Sequence, residues 1–127
     1  MQSNIWPIFE ELRNTNSTVE KQKILEQHKE DKLLERIMYL AYNPMLNFYI
    51  TGDALDEDYP NNIAELDKQG VGISKAFEPH DTIFDALMGR VVTGHAAKNA
   101  CLKVCAKLNY HDMLIFKSIL NRDLRLG

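Results

Sequence analysis

The sequence predicts an all-α fold: a compact domain of about six helices interrupted by one long irregular middle loop. Three observations carry that expectation. Apolar residues recur at helical spacing in most segments, beginning with Ile5, Ile8, Phe9 and Leu12. Residues suited to capping, among them Ser17, Asp31, Asp81 and Thr93, stand just ahead of those segments. No stretch alternates apolar and polar residues as a half-buried strand would, and no internal repeat or low-complexity tract is present.

The first helix carries Pro7 in its opening turn, where a missing N–H costs little. Ser17-Thr18-Val19-Glu20 is a capping-box pattern and opens a second helix that runs to about His28. Asp31 caps KLLERIMYLAYN, whose Leu34, Ile37, Met38 and Ala41 should be core, and Asn43-Pro44 ends it. MLNFYI then reads as a further turn or two of helix. Residues 51–79 hold glycines, a proline and an acidic cluster, and read mostly as loop; a loop that long is unusual in a compact domain and is often functional. Asp81 caps TIFDALMGR. Two helices close the chain, from about Thr93 to Leu108 and from about Asp112 to Arg122, joined by a short turn at Asn109-Tyr110-His111.

At 127 residues, 45% of them hydrophobic, the chain suits a single domain able to bury a core. No apolar run approaches the roughly 18–20 residues that span a bilayer, and MQSNIWPIFEEL lacks the basic lead and apolar stretch of a secretory signal. The expected setting is the cytoplasm, with no membrane partner. Cys101 and Cys105, four apart on one helix, should be reduced thiols.

The net charge of −3 hides an uneven distribution. Residues 1–52 carry six Lys/Arg against seven Asp/Glu, residues 53–85 two against nine, and residues 86–127 seven against two. A basic C-terminal third on an acidic protein points to an anionic partner.

Within that third, VVTGHAAKNACLKVC is the most specific stretch. With Thr93 as cap, Gly94, His95 and Ala96 form a first turn whose N–H groups lack helical partners, at the positive end of the helix dipole. Side chains this small would let a phosphate oxygen meet the amides. The structural alternative is that Gly94, Ala97 and Ala100 let the helix pack tightly on a neighbour. Ala97, Cys101, Val104, Cys105 and Leu108 share one face and should be buried, with Lys103 and Lys107 opposite and Lys98 on the flank. On the last helix Lys117, Asn121 and Arg125 fall on one stripe beside Arg122. Two adjacent basic helix faces would track a phosphate backbone, although a merely solvated lysine face is the plainer reading.

Other chemistry is poorly supported. His95 projects away from the two cysteines and no fourth ligand is near, so no metal site is expected. Both thiols look like core residues rather than nucleophiles. Asp53, Asp56, Glu57 and Asp58 do not follow the calcium-loop pattern, and neither a phosphate loop nor a nucleophile elbow occurs. A helix-turn-helix reader would want base-reading side chains at the start of the last helix, and few are there.

Three segments, KQKILEQHKEDKLLERIMYLAYNP, VVTGHAAKNA and SILNRDLRLG, together resemble the N-terminal DNA-binding domain of ATP-dependent DNA ligases, bacteriophage ligases among them. The resemblance implies an all-helical domain that clamps nicked double-stranded DNA through the minor groove and backbones on both sides of the break, as a monomer, with the remaining ligase domains in cis. It places Arg90, Thr93, Gly94 and Ala96 at one DNA contact, and Arg122, Arg125 and Gly127 at another. Lys98, Lys103, Lys107, Lys117 and Asn121 join them from face geometry, with His95 in the exposed first turn. No lysine here is followed by x-Asp-Gly, the motif that takes up AMP in that family. The chain is therefore expected to be an N-terminal piece that binds DNA without sealing it. It should need no cofactor itself, ATP and magnesium belonging to the full-length enzyme. The rival expectation is a helical protein-interaction module that offers its acidic middle loop to a basic partner.

Overall fold

A computed structural model describes residues 5–56, 73 and 82–124. Among these residues six helices follow in order: α1 (Ile5–Arg13), α2 (Thr18–Gln27), α3 (Lys32–Tyr42), α4 (Thr82–Met88), α5 (Gly94–Lys107) and α6 (Tyr110–Leu120), with a 3-10 turn at Gly52–Leu55 between α3 and α4. No strand occurs among the described residues, as the all-α expectation requires.

Two of the expected caps, Ser17 and Asp31, work as the sequence implies. Ser17 Oγ accepts from the Glu20 amide and Asp31 Oδ1 accepts from the Leu34 amide at 3.1 Å, so each satisfies an amide that the helix leaves unpaired. Asp81 lies outside the described residues. MLNFYI corrects the sequence reading, because it is not helical. The Asn43 carboxamide oxygen accepts from the Met45 amide at 2.9 Å and that of Asn47 from the Tyr49 amide at 2.8 Å. Asparagine side chains that bond locally in this way compete with the helical ladder, and Tyr49 turns left-handed at φ 61°.

α6 also begins earlier than expected. The connection from α5 is only Leu108-Asn109, and Asn109 caps α6 by accepting from the Asp112 amide at 3.0 Å. The sequence HDMLIFKSIL is apolar on nearly every side, and α6 accordingly runs through the centre of the fold, packed against α1, α3 and the 3-10 turn. Met113, Ile115, Phe116, Ile119 and Leu120 are all buried, joined by Ile5, Phe9, Ile37, Leu40 and Phe84 from the surrounding helices. Each such side chain contributes about 1.5–3 kcal/mol when fully withdrawn from water. Phe84 bridges the halves of the core, its ring 5.7 Å from Phe48 and 5.6 Å from Phe116. At one edge Trp6 stacks flat on His111, centroids 4.5 Å apart and planes 4° from parallel, which ties α1 to the start of α6.

The 3-10 turn is the part of the expected loop that the sequence did not reveal. Leu55 is fully buried, and Gly52 lies directly on the backbone of α6. A Cβ at Gly52 would stand 2.1 Å from the Lys117 carbonyl oxygen, so only glycine fits.

Candidate functional site

The segment from α4 into α5 is built from two backbone features. α4 closes in a Schellman arrangement: the Val91 amide donates to Ala86 O at 2.9 Å and the Arg90 amide to Leu87 O at 3.2 Å. The left-handed position of that motif usually holds glycine; here it holds Arg90, at φ 55°. The chain then runs extended through Thr93 and enters α5 at Gly94, itself left-handed at φ 54°. Thr93 occupies the cap position, but its hydroxyl makes no capping bond.

Gly94, His95 and Ala96 are exposed. Nothing lies within 4 Å of where a Gly94 Cβ would sit. Backbone conformation therefore explains the glycine, and tight packing on a neighbour does not. Packing does explain Ala97, which is buried together with Cys101, Cys105 and Leu108 as expected. Val104 is half-buried against the same core. On the opposite side Lys103 and Lys107 are exposed, while Lys98 is half-buried.

Arg90 is exposed, and its guanidinium carbon sits 4.3 Å from the centroid of the Tyr49 ring. Tyr49 and Val91 are themselves exposed. No sequence signal points to this pairing, because Tyr49 lies in a segment whose apolar spacing reads as helix.

The second expected basic face is corrected by the central position of α6. Lys117 is only 3% exposed and its ammonium pairs with the Asp56 carboxylate, so its charge is neutralised inside the fold. Asn121 is half-buried and uses its whole carboxamide on Asp53, donating to Oδ1 and accepting from the backbone amide, each at 3.2 Å. Arg122 stands at the left-handed position of a second Schellman close, φ 61°, with Asp123 N donating to Ser118 O at 3.1 Å and Arg122 N to Ile119 O at 2.9 Å. Its guanidinium donates from Nε to Ala41 O at 3.0 Å, from Nη1 to Leu46 O and from Nη2 to Asn43 O. It thus collects carbonyls at the end of α3 and in the segment that follows it, and is a structural anchor. Arg125 and Gly127 lie outside the described residues.

The structure accordingly brings Arg90, Gly94, His95 and Ala96 together along one stretch, with Lys98, Lys103 and Lys107 following on α5. It removes Lys117, Asn121 and Arg122 from the proposed surface. Asp53 and Asp56, half of the acidic cluster, are the groups that hold Asn121 and Lys117.

No cluster of three or more His, Cys, Asp or Glu that could hold a metal occurs among the described residues. Cys101 and Cys105 are unbridged and buried. Burial, with a smaller contribution from the neighbouring Cys105, pushes the Cys101 thiol up to about 12, the opposite of an activated nucleophile. Among the described residues no helix is long and apolar enough to cross a membrane.

No protein-family model matches the chain. It is similar to the DNA ligases of Enterobacteria phage T4 and Enterobacteria phage T6, 28% identical to each over 123 residues, which is 97% of this chain and 24% of either relative. The chain thus spans about a quarter of the length of these relatives. A solved structure called Pmar-Lig_PreS3 superposes with a TM-score of 0.76 at 24% identity, covering 96% of this chain and 26% of that one, and shows a shared fold. Over nearly its whole length, then, this chain resembles one domain-sized portion of the T-even phage DNA ligases.

Proposed function

We propose that this chain is the non-catalytic DNA-binding domain of an ATP-dependent DNA ligase. It grips nicked duplex DNA through backbone and minor-groove contacts, while other domains of the same enzyme seal the break during replication and repair. The observation that supports this best is the open first turn of α5: Gly94, His95 and Ala96 are exposed, with space beyond Gly94, within one of the three segments that resemble the ligases. Arg90 before that turn and Lys103 and Lys107 after it supply positive charge. A nick occurs in any sequence, so such a protein gains nothing from reading base edges, and phosphate contacts suffice.

Binding of this kind weakens steeply with salt. With about four phosphates neutralised, a fivefold rise in salt lowers affinity roughly three-hundredfold. Titrating nicked duplex at low and moderate salt tests this, together with a Lys103→Glu, Lys107→Glu variant. The variant should bind several-fold more weakly at low salt, with a shallower salt slope. Equal affinity of variant and parent at every salt concentration would reject the surface. The interaction-module alternative gains no support from Asp53 and Asp56, whose carboxylates already hold α6.

A further inference from the structure

Among the described residues two arginines occupy left-handed positions, which a side chain with a Cβ adopts at a cost that glycine does not bear. For Arg122 the return is visible: three carbonyl oxygens accept its guanidinium. For Arg90 it is not. Among the described residues its guanidinium meets no carboxylate, and the recorded contact of its side chain is the ring of Tyr49, 4.3 Å from the guanidinium carbon. Tyr49 is itself left-handed, its amide bonded to the Asn47 carboxamide oxygen, and the residue is 55% exposed. Val91, next in the chain, is 79% exposed. Two separate segments thus turn unusual backbone toward one another, and the result is a cation displayed on an aromatic face beside the start of α5.

We propose that Tyr49 is a positioning residue for DNA: it carries the Arg90 guanidinium on its ring so that the exposed Tyr49–Arg90–Val91 edge meets a sugar–phosphate strand of the duplex. This rests on the DNA-binding reading above and adds a residue to it. A guanidinium over an aromatic face keeps its N–H donors at the rim, free to fork onto a phosphate, and loses less side-chain freedom on binding than a free arginine would. Val91 supplies an apolar surface suited to the deoxyribose face in a minor groove. The ring, and not the phenol hydroxyl, does the holding.

The test is a double-mutant cycle on binding of a labelled nicked duplex at low salt, followed by fluorescence anisotropy, with thermal melts to show that each variant folds. Because cation–π contacts at exposed sites are modest, Tyr49→Ala should weaken binding about threefold. Tyr49→Phe, which keeps the ring, should bind as the parent does. Arg90→Ala should weaken binding roughly tenfold, as loss of a phosphate contact does at low salt. The double variant should be no weaker than Arg90→Ala alone. If Tyr49→Ala is silent, or adds fully to Arg90→Ala, the positioning role is refuted while DNA binding stands. If neither Arg90→Ala nor the Lys103→Glu, Lys107→Glu variant changes affinity, the DNA-binding reading itself falls, and this role with it.

Discussion

Replacing Gly52 with alanine tests the central packing of the fold. The added methyl would stand 2.1 Å from the Lys117 carbonyl oxygen, 2.7 Å from its carbon and 2.9 Å from its Cα, all of them backbone atoms inside α6 that cannot swing aside. Relief requires the 3-10 turn to retreat from α6 by about 1 Å. That retreat lifts Leu55 out of the core, stretches the paired Asp53–Asn121 hydrogen bonds beyond 3.2 Å and draws Asp56 away from a buried ammonium. Overpacking alone costs about 1–3 kcal/mol, and loosening the buried pair adds to it, so a loss of about 3 kcal/mol is expected. For a chain of this length that lowers the melting temperature by roughly 10 °C. Denaturant titration measures it directly as a shift in midpoint at constant slope. Gly94→Ala is the internal comparison, since its methyl meets open space and only the φ of 54° is penalised, at about 1 kcal/mol. If Gly52→Ala costs no more than Gly94→Ala, the 3-10 turn does not rest on α6 as described.

Arg122→Lys should destabilise by about 2 kcal/mol, because a lysine keeps the charge but cannot serve three carbonyls at once; an unchanged denaturation midpoint would show the fork to be dispensable. Cys101 should resist iodoacetamide in the native protein at about pH 8.5, yet react promptly once unfolded, because its folded-state thiol is held neutral. The sign follows from the same shift: the unfolded thiol ionises near 9.0 and the folded one near about 12, so its contribution to stability is complete below the lower value and is lost as pH climbs between them. Fast native labelling, or a melting temperature that rises across that range, would contradict the burial of Cys101.

What the sequence disclosed divides along physical lines. Local signals were readable: Ser17 and Asp31 cap where their spacing implied, and the buried stripe of α5 follows its 3.6-residue period. MLNFYI misleads because its apolar residues fit a helix, while nothing in the pattern shows that the Asn43 and Asn47 side chains fold the backbone into turns. Lys117 and Asn121 failed for a deeper reason. α6 is apolar all round, so its period cannot say which face is outside, and a lysine there looks solvated until its partner is known. That partner, Asp56, lies in a segment with no periodicity at all. Gly52 likewise reads as an ordinary loop glycine unless the helix it touches is already in view. At the α5 entrance the pattern located the exposed turn, but Arg90 needed Tyr49 from a distant segment to become a defined group.

The face-to-face contact of Trp6 with His111 has a practical outcome. Since the protein holds one tryptophan, emission excited at the red edge, where tyrosine does not absorb, comes from a single indole that senses whether α1 is seated on the head of α6. Unfolding of the variants above can be followed without any attached dye, and the light will report on that joint specifically. A labelled duplex can then be added to the same cuvette, so that stability and affinity are read from separate colours.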